Sequence, residues 1–142
     1  MSNTASPDQL QAEWLDRLSQ FMQTVQGWAE ARGWSTRQIE VTLEDSQIGK
    51  YEAPALLLQE NATRVLLEPI ARSAPGADGV VDLYLMPAYD DIASLYLYDD
   101  AWHVHYMFPG TESVGDIRDA EAKPLTDEAL HEVLEEMRKN AV

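Results

Sequence analysis

Two histidines, His103 and His105, are separated by one residue in a segment where apolar and polar side chains alternate. On a β-strand both imidazoles would project to the same face of the sheet, as paired metal ligands must. Glu112 follows beyond a Pro-Gly turn, and its carboxylate would complete a His-His-carboxylate set. The sequence therefore supports a metal-site hypothesis built on His103, His105 and Glu112. The competing interpretation is that the histidines add polarity to an exposed strand.

Two pairs of adjacent aspartates offer oxygen ligands of the kind that calcium and magnesium prefer. The pairs are Asp90-Asp91 and Asp99-Asp100, and Asp82 is a third candidate ligand. Adjacent side chains point in different directions, and neither pair has the spacing of an EF-hand loop. Because aspartate is common in turns, the pattern favours turns over a cation site.

The sequence contains no motif that indicates a particular reaction. Glu68 and Asp82, if opposite each other on neighbouring strands, would resemble the paired acids of a metal nuclease, but the Glu-x-Lys companion is missing. Glu68 also precedes Pro69, which indicates an edge strand or a bulge. The chain has no cysteine, no nucleophile elbow, no phosphate-binding loop and no dinucleotide fingerprint. Catalysis is therefore not favoured, and no cofactor is expected.

The most unusual segment runs from Ser73 to Ile117, 45 residues without Lys or Arg but with eight acidic residues and seven of the twelve aromatic rings. Tyrosine is enriched at protein interfaces, and unopposed acids steer basic partners. The alternative is that several of these rings fill the core. The candidate partner-binding residues are Tyr84, Tyr89, Asp90, Asp91, Tyr96, Tyr98, Asp99 and Asp100.

Two helices and a series of strands must position these residues. Ser6-Pro7 begins a helix whose apolar stripe continues to Gly33, and Thr126 caps a second helix near the C-terminus. Period-two patterns predict strands at about 37–44, 55–58, 64–70, 80–86, 94–98 and 101–108. Residues 88–93 are expected to form a helical turn or an irregular crossing. Short connections favour an α+β fold, with an antiparallel meander sheet of about five to six strands packed by an N-terminal and a C-terminal helix.

The strands at 94–98 and 101–108 form the best hairpin candidate, with Asp99-Asp100 in the turn. Alternation then sorts their side chains into two sets. The core set is Leu95, Leu97, Trp102, Val104 and Tyr106. The opposite set is Tyr96, Tyr98, His103 and His105, a polar and aromatic face that looks outward or into a groove.

Length and charge limit the classes of protein to which the chain can belong. The 142 residues fit one globular domain, 1–142, in which residues 1–6 are expected to be flexible. The net charge of −15 argues against direct binding of nucleic acid. Without a membrane span or a signal peptide, a cytoplasmic location is expected.

The leading hypothesis is a small acidic cytosolic protein without catalysis, acting as a protein-binding module. A chaperone, an adaptor or an immunity-like inhibitor of a basic partner would fit, and a homodimer is compatible with the sequence. The second hypothesis is a metal-binding protein or metal-dependent enzyme that uses His103, His105 and Glu112. The third is an acidic mimic of nucleic acid that occupies a nucleic-acid-binding protein.

Overall fold

A computed structural model of the chain describes residues 6–106 and 122–141, apart from the side chain of Asp90. Glu112 and residues 1–5 of the predicted flexible terminus lie outside the described residues. The elements in chain order are α1 (Pro7–Ala31), β1 (Ser35–Asp45), β2 (Gly49–Glu60), β3 (Thr63–Ala71), β4 (Gly79–Leu85), β5 (Asp90–Tyr98), β6 (Ala101–His105), β7 (Ala122–Pro124) and α2 (Asp127–Asn140).

The described strands form one antiparallel meander in which each strand pairs with its neighbour in the chain, in the order β1 to β7. This confirms the predicted α+β class, with the two helices packed on the sheet. Within the described residues the sheet has seven strands, whereas five to six were predicted. The additional strand, β7, has only three residues and pairs with β6, so its sequence is too short to show a period of two.

Helix α1 begins as its sequence predicts. The Ser6 hydroxyl accepts a hydrogen bond from the Gln9 amide at 3.2 Å, and the Gln9 side chain accepts one from the Ser6 amide at 2.9 Å. This capping box satisfies two of the amide groups that the first helical turn leaves unpaired. The predicted stripe is the buried face of the helix, and its buried residues are Trp14, Leu18, Phe21, Met22, Val25 and Ala29.

Two predictions about irregular segments have different outcomes. The prediction for residues 88–93 is wrong in part, because β5 already begins at Asp90. Tyr89 and Asp91 have positive φ angles of 56° and 48°, and the β4–β5 register shifts beside them, so this stretch lacks a regular alternation. Of the two alternatives for Pro69, the bulge is confirmed and the edge strand is not. The register shifts between Pro69 and Ala71, and β3 lies between β2 and β4. The pairing of β3 with β2 ends at Leu67, before Pro69.

Candidate functional site: the open face of the sheet

The face of the sheet turned away from α1 and α2, here called the open face, carries a row of polar side chains. Glu68 on β3 is directly opposite Asp82 on β4, and Asp82 is opposite Ser94 on β5. Ser94 in turn is opposite His105 on β6. Because directly paired residues of a sheet project to the same side, the four side chains cross the open face in one line.

Aromatic rings lie on one side of this row. Tyr96 pairs with His103 across β5 and β6, and the Tyr96 ring meets the His105 ring edge-on at 4.9 Å. Tyr98 stacks on His103 with ring centroids 3.7 Å apart and an interplanar angle of 6°. The predicted placement of Tyr96, Tyr98, His103 and His105 on one face of the hairpin is therefore confirmed. The residues expected in the core are also found on the helix side: Leu95, Leu97, Val104 and Tyr106 are buried and Trp102 is half-buried.

A second aromatic pair lies on the other side of the row. Tyr89, in the turn before β5, meets Tyr84 edge-on at 5.6 Å. The Tyr84 hydroxyl donates a hydrogen bond to Asp82 Oδ2 at 3.0 Å. Burial, together with the nearby Asp82 charge, raises the pKa of Tyr84, so the phenol keeps its proton and remains a donor. Tyr84 thus links the aromatic pair to the polar row.

The aspartates of the predicted partner-binding set do not share one face. Asp91 accepts hydrogen bonds from the Tyr106 hydroxyl and from Asn140, both at 2.8 Å, and so ties β5 to α2. Asp100 forms an ion pair with Arg17 of α1 at 2.6 Å. Asp99 and Asp100 have φ angles of 52° and 59°, the combination found in a type I′ hairpin turn. Asp90 is the first residue of β5.

Large apolar side chains are also exposed beside this face. Ile70 follows Glu68 by two residues in β3, and Ile92 precedes Ser94 by two residues in β5. Both lie at irregularities of the sheet, because the register shifts between Pro69 and Ala71 and between Leu83 and Leu85. They are 40% and 42% exposed, and Tyr89 is 51% exposed. Within residues 6–106 and 122–141 these are the three exposed large hydrophobic residues. Single exposed hydrophobics are normal at a protein surface, whereas exposed hydrophobics that are grouped together are typical of interaction surfaces.

The two carboxyl groups of the row are poorly hydrated. Burial raises the pKa of Asp82, against the opposing effect of the hydrogen bond from Tyr84 and of the neighbouring Ser94 hydroxyl. Burial also raises the pKa of Glu68, and the adjacent Asp82 charge adds to that effect. Both shifts show that a negative charge here is held less favourably than in water. A cation brought to the row would offset that cost.

The Asp-Ser-His row does not form a nucleophilic triad. In such a triad the histidine lies between the serine and the acid, whereas here Ser94 lies between Asp82 and His105. Neither ring nitrogen of His105 has a hydrogen-bond partner among the described residues. Nothing in this geometry activates the Ser94 hydroxyl for attack.

His103 and His105 lie on the same face of β6, as the metal hypothesis requires. The part of the chain that the structure describes contains no group of three His, Cys, Asp or Glu residues arranged to hold a metal ion. Glu112, the third residue of the predicted set, is not among the described residues. Burial, with a smaller effect of the neighbouring His103, lowers the pKa of His105 and favours the neutral imidazole, the form that binds metals.

A groove of about 370 Å³ opens at this face between the turn at 74–77 and the β5–β6 hairpin. Tyr96, Tyr98 and His105 line its hairpin side. The sequence identified these three side chains, but it did not place them beside the turn at 74–77. Sequence reasoning also missed Ser94, whose place in the polar row is set by the register of β4 and β5.

Comparisons with protein-family models, with curated proteins and with solved structures found no match to this chain. None of the described helices is long and apolar enough to cross a membrane.

Proposed function

We propose that this chain is a non-catalytic protein-binding module that docks a basic protein partner on its open face. The observation that supports this most strongly is the placement of Ile70, Tyr89 and Ile92, which are exposed beside a face that neither helix covers. Burying such side chains against a partner is favourable by about 25 cal/mol for each Å² of apolar surface removed from water. Tyr96 and Tyr98 add large rings that lose little conformational entropy on binding.

The charge pattern supports a basic partner. Strands β4, β5 and β6 contain no Lys or Arg. The raised pKa values of Glu68 and Asp82 indicate carboxylates that are poorly hydrated in the free protein. A Lys or Arg from a partner would provide the counter-charge that this part of the sheet lacks. Asp99, exposed at the hairpin tip, would steer the partner during approach.

A second candidate is metal binding by His103 and His105, the alternative that the spacing of the histidines suggests. The Nδ1 atoms of both rings, and Nε2 of His105, are buried without a hydrogen-bond partner in the described part of the chain. Buried polar atoms usually have partners, so these nitrogens are available to a ligand. A metal at this position would need a further ligand from outside the described residues or from a partner.

The proposal is tested by recovering a partner from native lysate with the purified chain and measuring its binding kinetics. Replacing Tyr96 and Tyr98 with Ala should speed dissociation by about tenfold or more, because ring contacts act after encounter. Asp99→Lys should slow association and weaken its salt dependence, because a steering charge is reversed.

Glu128→Lys is the matched charge control, because Glu128 is exposed on α2, away from the open face. It should leave the binding kinetics close to those of the parent. Unchanged kinetics in both the tyrosine variant and Asp99→Lys would show that the partner docks elsewhere.

A further inference from the structure

A second groove, separate from the open face, runs beside α1 on the helix side of the sheet. It has a volume of about 720 Å³ and lies between α1, the end of the β5–β6 hairpin and the segment that leads into α2. Its apolar lining includes Phe21, Trp28, Trp102 and Leu125. Phe21 is buried and stacks on Trp102 with ring centroids 4.3 Å apart, whereas the other three side chains are only half-buried. Three large apolar side chains of this groove therefore keep exposed surface.

The groove is acidic at its rim. Glu13 and Asp16 are exposed on α1, and the side chain of Asp100 is 83% exposed at the hairpin turn. Among the described lining residues, Arg17 is the single basic side chain, and it is already paired with Asp100. An exposed ion pair of this kind is weak, so an incoming cation can compete with Arg17 for the Asp100 carboxylate.

The shape of the groove fits a helix. It follows α1 from Glu13 to Trp28, which at 1.5 Å per residue is a length of about 22 Å, or about four helical turns. Two helices pack side by side through apolar residues spaced three and four apart. A β-strand would instead need backbone hydrogen bonds, and on this side the sheet offers β7, whose described length is three residues.

We propose that this groove binds a basic amphipathic helix of a partner protein. The apolar face of that helix packs on Trp28 and Trp102, and its Lys or Arg side chains contact Glu13 and Asp16. The contrast between an apolar lining and an acidic rim selects a helix with one apolar and one cationic face. The inference does not depend on the open face, because the two surfaces lie on opposite sides of the sheet.

The test uses a synthetic amphipathic peptide of about 16 Leu and Lys residues, a length that matches the groove. Binding is followed by the intrinsic tryptophan fluorescence of the full chain. Trp14 and Trp34 are 4% and 2% exposed, so a change in emission reports mainly on Trp28 and Trp102. A Leu/Glu peptide of the same pattern and a Leu/Lys peptide of scrambled order are the peptide controls.

Two groove variants leave the core unchanged. Glu13→Lys with Asp16→Lys reverses the rim, and Thr24→Phe fills the groove from an exposed position on α1 without adding a tryptophan. Each should weaken binding of the Leu/Lys helix by about tenfold or more. The matched controls are Asp8→Lys with Glu128→Lys for charge and Gln23→Phe for bulk, at exposed positions that do not line this groove.

Binding that is lost in the groove variants and kept in the control variants supports the proposal. Three outcomes overturn it: no binding of the amphipathic peptide at low salt, equal binding of the scrambled peptide, or equal binding by the groove and control variants. The last two would show general attraction to an acidic protein. Because no open-face residue is changed, failure here leaves the proposed function of that face standing.

Discussion

Gly79 allows Trp14 of α1 to pack directly against β4, because glycine has no β-carbon. A β-carbon at this position would lie 2.7 Å from Cζ3 and 2.9 Å from Cη2 of Trp14, well inside the usual carbon–carbon contact distance of about 3.5–4.0 Å. The Trp14 ring cannot easily move away, because it is 4% exposed and its Nε1 donates a hydrogen bond to the Tyr51 hydroxyl at 2.9 Å. Gly79→Ala must therefore displace a ring in the core.

The expected cost combines two opposing effects. Overpacking a core costs about 1–3 kcal/mol, whereas replacing Gly by Ala within a strand ordinarily gains about 0.5–1 kcal/mol. We expect Gly79→Ala to lower the free energy of unfolding by about 1–2 kcal/mol, the balance of these effects. Gly27→Ala is the control, because Gly27 is exposed in α1 and a β-carbon there meets nothing within 4 Å. It should stabilise the protein by about 1 kcal/mol.

Urea unfolding curves with a constant m value give both free energies. In a Trp14→Leu background the ring is gone, so Gly79→Ala should lose most of its cost, giving a coupling energy between the two positions. If Gly79→Ala stabilises the protein as Gly27→Ala does, with no coupling to position 14, then the packing of α1 against β4 is incorrectly described.

Three further predictions concern the β5–β6 hairpin. The fold lowers the pKa of His105 below its usual value of 6.5. The stability that the neutral imidazole contributes is therefore present at higher pH and is lost as the pH falls through the folded-state pKa. His105→Gln should for this reason lose less stability than the parent between neutral and acidic pH. Equal losses in pH-dependent melts would contradict this. Asp100→Gly should be about 1–2 kcal/mol more stable than Asp100→Ala in urea unfolding. Both variants lose the ion pair with Arg17, and only Gly adopts a positive φ angle freely. Equal stabilities of the two variants would argue against the type I′ turn. If His103 and His105 bind zinc, zinc should raise the Tm of the parent and not of the double Ala variant; the same response in both would reject the metal candidate.

The elements that could be predicted are those whose local patterns agree with their packing. Ser6-Pro7 and the apolar stripe predicted α1, because a capping box and a period near 3.6 are properties of the local chain. The two faces of the β5–β6 hairpin were predicted correctly, because its turn residues and the alternation of its side chains indicate the same register. Neither prediction needed a distant contact.

What could not be predicted depends on contacts between distant parts of the chain. The row from Glu68 to His105 depends on the register of four strands, and that register shifts at two irregular positions, beside Pro69 and beside Leu83. The partners of Asp91 and Asp100 lie on α2 and α1, so their pattern in the sequence did not show that they belong to the helix side. The groove beside α1 likewise forms only when Trp28 and Trp102, far apart in sequence, come to line the same cavity.

Docking of a partner on the proposed open face is tested most directly by hydroxyl-radical footprinting. Tyrosine and histidine side chains are oxidised in proportion to their exposure, so the chain is compared alone and in complex with the partner recovered from lysate. We predict that oxidation of Tyr96, Tyr98 and His103 falls strongly in the complex. Oxidation of Trp28 in the α1 groove should stay the same unless the partner also fills that groove. Equal oxidation of Tyr96, Tyr98 and His103 with and without the partner would contradict the proposed docking.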